Sequence, residues 1–322
     1  MADPDDQRLM GAALALSEHG VGRTGLNPPV GCVIVKDGCV VGRGHTQDGG
    51  RPHAEAVALA MASAAAVGAT AYVTLEPCAH ASPRGPACAD ALVGAGVARV
   101  VVAAGDSDPR TDGAGVARLR AAGVVVTEGV RTAEAEAVMA GFFTRLRLAR
   151  PHITLKLAVS LDGSVALASG ISKWITGERA RAHAHLERAR ADMILVGRGT
   201  WDADAPRLDV RLPGLEERSP IVAVMGSRSA VGARHLANPS ELVAVADANL
   251  VLAEGGAGLA ASLIAADLVD RLLLYRAPIL VGGRAALSAI GLDDLGPAHG
   301  RWLPGPIIDL KPDRLETYTR IR

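Results

Sequence analysis

The sequence predicts an α/β chain built as two domains, and three observations carry that expectation. At 322 residues the chain is long for one hydrophobic core. Segments with apolar residues at helical spacing alternate with short apolar runs of strand length. Near the middle, Arg150-Pro151 breaks a helical pattern and opens a new strand, which places the boundary between 1–149 and 150–322.

In the first half, Asp5–Gly20 reads as an amphipathic helix with Leu9, Met10, Ala13, Leu14 and Leu16 at helical spacing, stopped by Gly20. Asn27-Pro-Pro-Val-Gly31 is a turn feeding a hairpin, whose strands Cys32–Val35 and Cys39–Val41 flank the tight turn Lys36-Asp-Gly38. Cys32 and Cys39 read there as buried thiols. A Gly-rich loop, Gly42–Pro52, precedes helix Ala54–Val67, and strand Thr70–Leu75 follows. Pro77 and Cys78 are expected to open a helical turn, followed by helix Ala89–Gly94, strand Ala98–Ala103, helix Gly115–Ala122, strand Val124–Thr127 and a helix over Thr132–Ala149.

In the second half, strand Ile153–Val159 leads to Ser160-Leu-Asp-Gly163. Ser172-Lys-Trp174-Ile-Thr176 is expected to start a helix running to Arg190, and strand Met193–Val196 follows. Between Arg211 and Glu254 little more than strand Ile221–Val224 and loops is expected. Leu250–Leu252 then reads as a strand leading to Glu254-Gly-Gly-Ala-Gly258 and helix Leu259–Ala266, a helix start whose amides can cradle phosphate. The spaced glycines of a dinucleotide-binding strand–helix turn are absent.

The bulk numbers exclude several functions. Formal net charge is zero and aromatics are 2%, so neither a basic field nor stacking residues favour nucleic acid or an anionic membrane. The Arg145, Arg147 and Arg150 cluster reads as a solvated face. The uncharged run Ala56–Val73 reads as a helix and a buried strand rather than a membrane span. The acidic N-terminus is no secretory signal, and four cysteines suit a reducing cytoplasm better than a disulfide framework.

The chemistry concentrates in His53-Ala-Glu55, Thr74-Leu-Glu-Pro-Cys78 and Cys88. One imidazole and two thiolates suit a tetrahedral zinc ion with an open fourth position, where water is activated. Glu55, two residues after the histidine, is placed to shuttle protons for that water. H-x-E followed by P-C and a later Cys is the pattern of zinc-dependent deaminases. His80 is the one other ligand candidate, and the choice between Cys88 and His80 stays open at this point. Asp106–Gly113 is either a substrate-facing loop or a solvated turn.

Asn27-Pro-Pro-Val-Gly31, His53-Ala-Glu55 and Thr74-Leu-Glu-Pro-Cys-Ala-His80 resemble the deaminase domain of the bifunctional riboflavin-biosynthesis deaminase–reductases. Later motifs, in order, resemble the reductase domain of the same family: Leu155-Lys156, Ser160-Leu-Asp-Gly163, Ser172-Lys-Trp-Ile-Thr176, Gly199-Thr200 with Asp204 and Pro206, and Glu254-Gly-Gly256. The resemblance implies an N-terminal cytidine-deaminase-like α/β/α sandwich and a C-terminal dihydrofolate-reductase-like domain, shortened here between 211 and 254. It implies zinc on His53, Cys78 and Cys88, Glu55 as proton shuttle, and Asn27 against the substrate ring. For the reductase it implies NADPH held by Ala158, Trp174, Thr200, Asp204, Gly256 and Gly258, with substrate met by Lys156, Ser172, Arg188, Leu208, Arg211 and Glu254. The implied substrate is a phosphoribosylaminopyrimidine, and the implied assembly a homo-oligomer. Two alternatives are a deaminase whose second domain only supports oligomerisation, and a nucleic-acid-editing deaminase. The long gap between the cysteines speaks against the latter.

Overall fold

In the computed structural model the described residues are 3–80 and 85–322. The start of the N-terminal segment and the middle of the Ala79–Ala87 loop lie outside them. The chain divides into two compact units, Met1–Ala149 and Arg150–Arg322.

Unit 1 begins with α1 (Pro4–Ser17), where the Asp3 carboxylate accepts from Asp5 N–H and Pro4 occupies the first turn. Then come β1 (Gly31–Lys36), β2 (Cys39–His45), α2 (Ala54–Ala62), β3 (Thr70–Leu75), α3 (Cys88–Gly94), β4 (Arg99–Ala104), α4 (Ala114–Ala121), β5 (Val125–Glu128), α5 (Thr132–Val138) and α6 (Ala140–Leu148). Positive φ at Asp37 and Gly38 makes the hairpin turn the type that matches strand twist. The sheet order is β2-β1-β3-β4-β5, antiparallel across β2-β1-β3 and parallel across β3-β4-β5.

Helices cover this sheet to give the α/β/α sandwich. Leu9, Met10, Ala13 and Leu14 of α1 enter the same core as Ala54 and Ala58 of α2 and Leu92 of α3. With so few aromatics, small side chains and close approach fill the interior. Gly44 shows how: a Cβ there would stand 2.5 Å from the Ala54 carbonyl oxygen, so only glycine lets α2 press onto β2.

Several elements depart from expectation. Pro77 and Cys78 lie in irregular backbone, and the helix begins only at Cys88. The helix after His53 ends at Ala62, and the one expected over Thr132–Ala149 breaks at Met139. Cys32 is fully buried, but Cys39 is exposed, because it sits on the edge strand just past the turn.

Unit 2 contains β6 (His152–Val159), β7 (Ser164–Ala166), α7 (Glu178–Ala189), β8 (Met193–Gly197), α8 (Arg198–Asp204), β9 (Ile221–Met225), β10 (Arg234–Leu236), β11 (Leu250–Glu254), α9 (Ala257–Ala265), β12 (Arg271–Arg276), β13 (Arg284–Ala285), β14 (Trp302–Pro304), β15 (Ile308–Leu310) and β16 (Asp313–Arg320). Its main sheet runs β10-β9-β8-β11-β6-β12-β16-β14, with β15 on β16. Strands β10 to β12 are parallel, and β16 returns antiparallel to β12. The alternation in β6 serves two layers. Leu155 and Leu157 pack with Leu259 and Leu263 of α9, whereas Ala158 packs with Ala180 and Ala184 of α7. Ser172–Thr176 precedes α7 as turns rather than starting it, since the helix begins at Glu178 after Gly177. No helix among the described residues is long and apolar enough to cross a membrane.

Candidate functional site

His53 caps the N-terminus of α2, Glu55 follows in its first turn, and Cys88 opens α3. Cys78 sits just past the end of β3. These elements bring His53, Cys78 and Cys88 together, with their donor atoms all within 4.8 Å of one another. His53 Nδ1 is 3.3 Å from Cys88 Sγ and 3.7 Å from Cys78 Sγ. A tetrahedral zinc with one nitrogen at about 2.0 Å and sulfur at about 2.3 Å would hold such donors about 3.6 Å apart. The donor set therefore fits zinc in chemistry and in spacing. His80 is not part of the group, and its buried Nδ1 has no hydrogen-bond partner among the described residues.

The electrostatics suit metal binding. The Cys78 thiol is pulled down to about 4, first by its hydrogen bond with Cys88, against burial, with His53 and the Cys88 N–H (3.3 Å) adding to it. Helix amides at Cys78 are not the cause, contrary to the expected helical turn. Cys88 is pushed up, because Cys78 takes the negative charge of the pair first. Glu55 is 3% exposed, and burial raises its carboxyl above the ordinary range against the pull of His53. A carboxyl that holds a proton more readily is suited to passing one on.

Around this centre, Asn27 donates from Nδ2 to the Thr24 carbonyl and lies against Gly50, three residues before His53. The Asp106–Gly113 loop is a structured turn. Asp106 Oδ1 accepts from Asp108 N–H, and Arg110 is clamped on Asp108. Burial pushes the Asp106 carboxyl up to about 6. Glu76, which the sequence reading named only as part of a motif, accepts backbone N–H groups from four residues of this region. Those partners lie 30 to 40 positions away, so no local signal reports them.

In unit 2, the carboxyl ends of the parallel strands collect the second set. Glu254, at the end of β11, is adjacent in register to Lys156 of β6. Arg188, near the end of α7, clamps Glu254 through Nε at 2.7 Å and Nη2 at 2.9 Å, and Lys156 Nζ stands 3.7 Å from the same carboxylate. Burial would raise the Glu254 carboxyl, but the Lys156 and Arg188 charges hold it down at about 2. Arg188 also donates to the Asp209 carbonyl, and Arg211 donates to the Asp209 carboxylate at 2.7 Å. Leu208 is buried in the same segment with φ of 57°. The sequence reading missed His185, which accepts from Arg211 N–H, and Tyr275, whose ring lies 5.7 Å from Lys156 Nζ.

The residues expected at the cofactor gather less tightly. Gly256 precedes α9 and approaches Thr200 of α8, and Gly258 lies in the first turn of α9. This joins the ends of β8 and β11, neighbouring parallel strands, where α/β sheets receive ligands. Ala158 sits opposite Tyr275. Asp204 pairs with Lys173 at 3.6 Å, next to an exposed Trp174 that stacks under Arg181. Ser172 is half-buried.

Comparison with known proteins now identifies the family. The cytidine and deoxycytidylate deaminase zinc-binding region matches residues 3–104, and the RibD C-terminal domain matches residues 151–249 and 238–298. The riboflavin biosynthesis protein RibD of Escherichia coli (strain K12) is 40% identical over 344 residues, covering 91% of this chain and 94% of that protein. The Mycobacterium tuberculosis protein of the same name (strain H37Rv) is 40% identical, covering 95% of each chain. Acinetobacter baumannii RibD superposes with a TM-score of 0.88 at 34% identity, over 98% of this chain and 99% of that one. A Thermotoga maritima diaminohydroxyphosphoribosylaminopyrimidine deaminase/5-amino-6-(5-phosphoribosylamino)uracil reductase superposes with a TM-score of 0.86 at 28% identity, over 98% and 99%. The chain belongs to the RibD family of bifunctional riboflavin biosynthesis enzymes, with a zinc-binding, cytidine-deaminase-like domain ahead of the RibD C-terminal reductase domain.

Proposed function

We propose that residues 1–149 deaminate 2,5-diamino-6-(5-phosphoribosylamino)pyrimidin-4-one and that residues 150–322 reduce the ribosyl group of the product to ribityl. The observation that carries the reading is the His53–Cys78–Cys88 donor set beside the buried Glu55. Those three residues would hold zinc, which supplies a Lewis acid that activates water at neutral pH. Glu55 accepts a proton from the attacking water on a carboxylate oxygen and returns it to the departing ammonia. Asn27 orients the pyrimidine ring, and the Asp106–Gly113 loop faces the phosphoribosyl group.

In the reductase, Thr200, Gly256 and Gly258 would line the NADPH phosphates, with Ala158, Trp174 and Asp204 along the rest of the cofactor. NADPH supplies the hydride. Lys156 faces the sugar, and Arg188, Arg211, Glu254, Leu208 and Ser172 shape the substrate pocket. Guanidinium forks suit a phosphorylated ligand. The enzyme acts on a small molecule in the cytoplasm as a homo-oligomer. A purely structural second domain is disfavoured by the RibD C-terminal match across residues 211–254.

Glu55→Gln tests the central assignment. The variant should keep zinc while ammonia release falls by about two to four orders of magnitude. Turnover within tenfold of the parent enzyme rejects the role.

A further inference from the structure

We propose that Glu76 is a positioning residue of the deaminase site, which sets the substrate-facing loop Asp106–Gly113 in register with the metal-binding thiolate Cys78. This rests on the deaminase reading above. Glu76 is 4% exposed and leaves β3 two residues before Cys78. Its Oε1 accepts from Gly115 N–H at 2.9 Å and Val116 N–H at 3.1 Å. Its Oε2 accepts from Gly113 N–H at 3.1 Å and Asp106 N–H at 3.3 Å.

The carboxylate thus grips both ends of the loop and the first turn of α4. Those first-turn amides have no partner within the helix, and a carboxylate also suits the helix dipole. Gly115 tightens the joint: a Cβ there would fall 1.9 Å from the Pro77 carbonyl oxygen. The residue before the ligand cysteine therefore rests directly on α4. Two further side chains point to a ligand near this loop. Thr111 is 2% exposed, and neither its buried Oγ1 nor the buried Nδ1 of His80 has a hydrogen-bond partner among the described residues.

All four of the hydrogen bonds run to the loop and helix, none to the metal ligands. Glu76→Gln turns one acceptor oxygen into a donor facing N–H groups, so the loop loses its anchor while Cys78 keeps its own bond from Cys88 N–H. The expected result is zinc retained at the parent stoichiometry and deaminase KM raised about tenfold or more with kcat within threefold. Reductase activity on separately supplied 5-amino-6-(5-phosphoribosylamino)uracil should be unchanged. An unaltered KM overturns the proposal, as does KM rising only together with loss of zinc. Amide hydrogen exchange on the parent chain tests it without a variant. The Gly113, Gly115 and Val116 amides should be protected despite two of them lying in a first helical turn, and rapid exchange there overturns the proposal. Failure of the deaminase reading would look different, as absent turnover in the parent enzyme.

Discussion

Glu254→Gln removes the carboxylate that faces both Arg188 and Lys156 while keeping its shape. The Glu254, Arg188 and Lys156 side chains are 11%, 14% and 19% exposed, so water cannot replace what is lost. Breaking a buried ion pair by neutralising one partner costs about 3–5 kcal/mol. A second route gives a similar figure. The Glu254 carboxyl is held at about 2 against an ordinary 4.5, which corresponds to roughly 3 kcal/mol of linked stability. In a unit of this size that is about 6–20 °C of melting temperature.

The assay is convenient, because Trp174, Trp201 and Trp302 all lie in unit 2 and their fluorescence reports its unfolding alone. The sign with pH follows from the depressed carboxyl. Its stabilisation is fully present above the unfolded value near 4.5 and is lost as pH falls toward 2. The parent unit should therefore lose about 3 kcal/mol across that window, and the variant should lack that component of the slope. A change below about 1 kcal/mol, or an identical acid slope in both proteins, refutes the reasoning.

Two further outcomes are expected. Gly50→Ala places a Cβ 2.0 Å from Asn27 Nδ2 at a φ of 85°, so steady-state assays should show deaminase KM raised several-fold with reductase kinetics unchanged; equal loss of both activities would mean that the fold, not Asn27, was disturbed. Arg211→Ala should weaken phosphorylated substrate by about 1.5–3 kcal/mol, roughly tenfold to a hundredfold, while NADPH titration by nicotinamide fluorescence stays within twofold. Equal weakening of both would reject its placement.

Much of the deaminase centre was legible in the chain because its chemistry is local. His53 and Glu55 share one helix start, and Cys78 and Cys88 flank one loop. Such spacing suits a metal with a carboxylate beside it. Hairpin chemistry at Asp37-Gly38 was equally legible, since positive φ restricts the residues allowed.

Other features depend on partners distant in the chain. Nothing near Ser172 or Met139 announces that α7 starts only after Gly177 or that the preceding helix breaks, because packing overrides propensity there. Cys39 looked as apolar as Cys32, and only its place on the edge strand leaves it in solvent. That Cys88 rather than His80 lies within ligand distance of His53 and Cys78 likewise needed three dimensions.

What the sequence by itself determined was the ligand chemistry, the paired α/β architecture and the order of motifs, because short-range geometry and residue type suffice for these. The tertiary structure alone decided that β11 inserts between β8 and β6, so that Glu254 meets Lys156 and Arg188. It also decided that Glu76 gathers four amides from the loop and helix that follow β4. Both follow from burial: a carboxylate taken out of water must find its donors wherever the fold brings them.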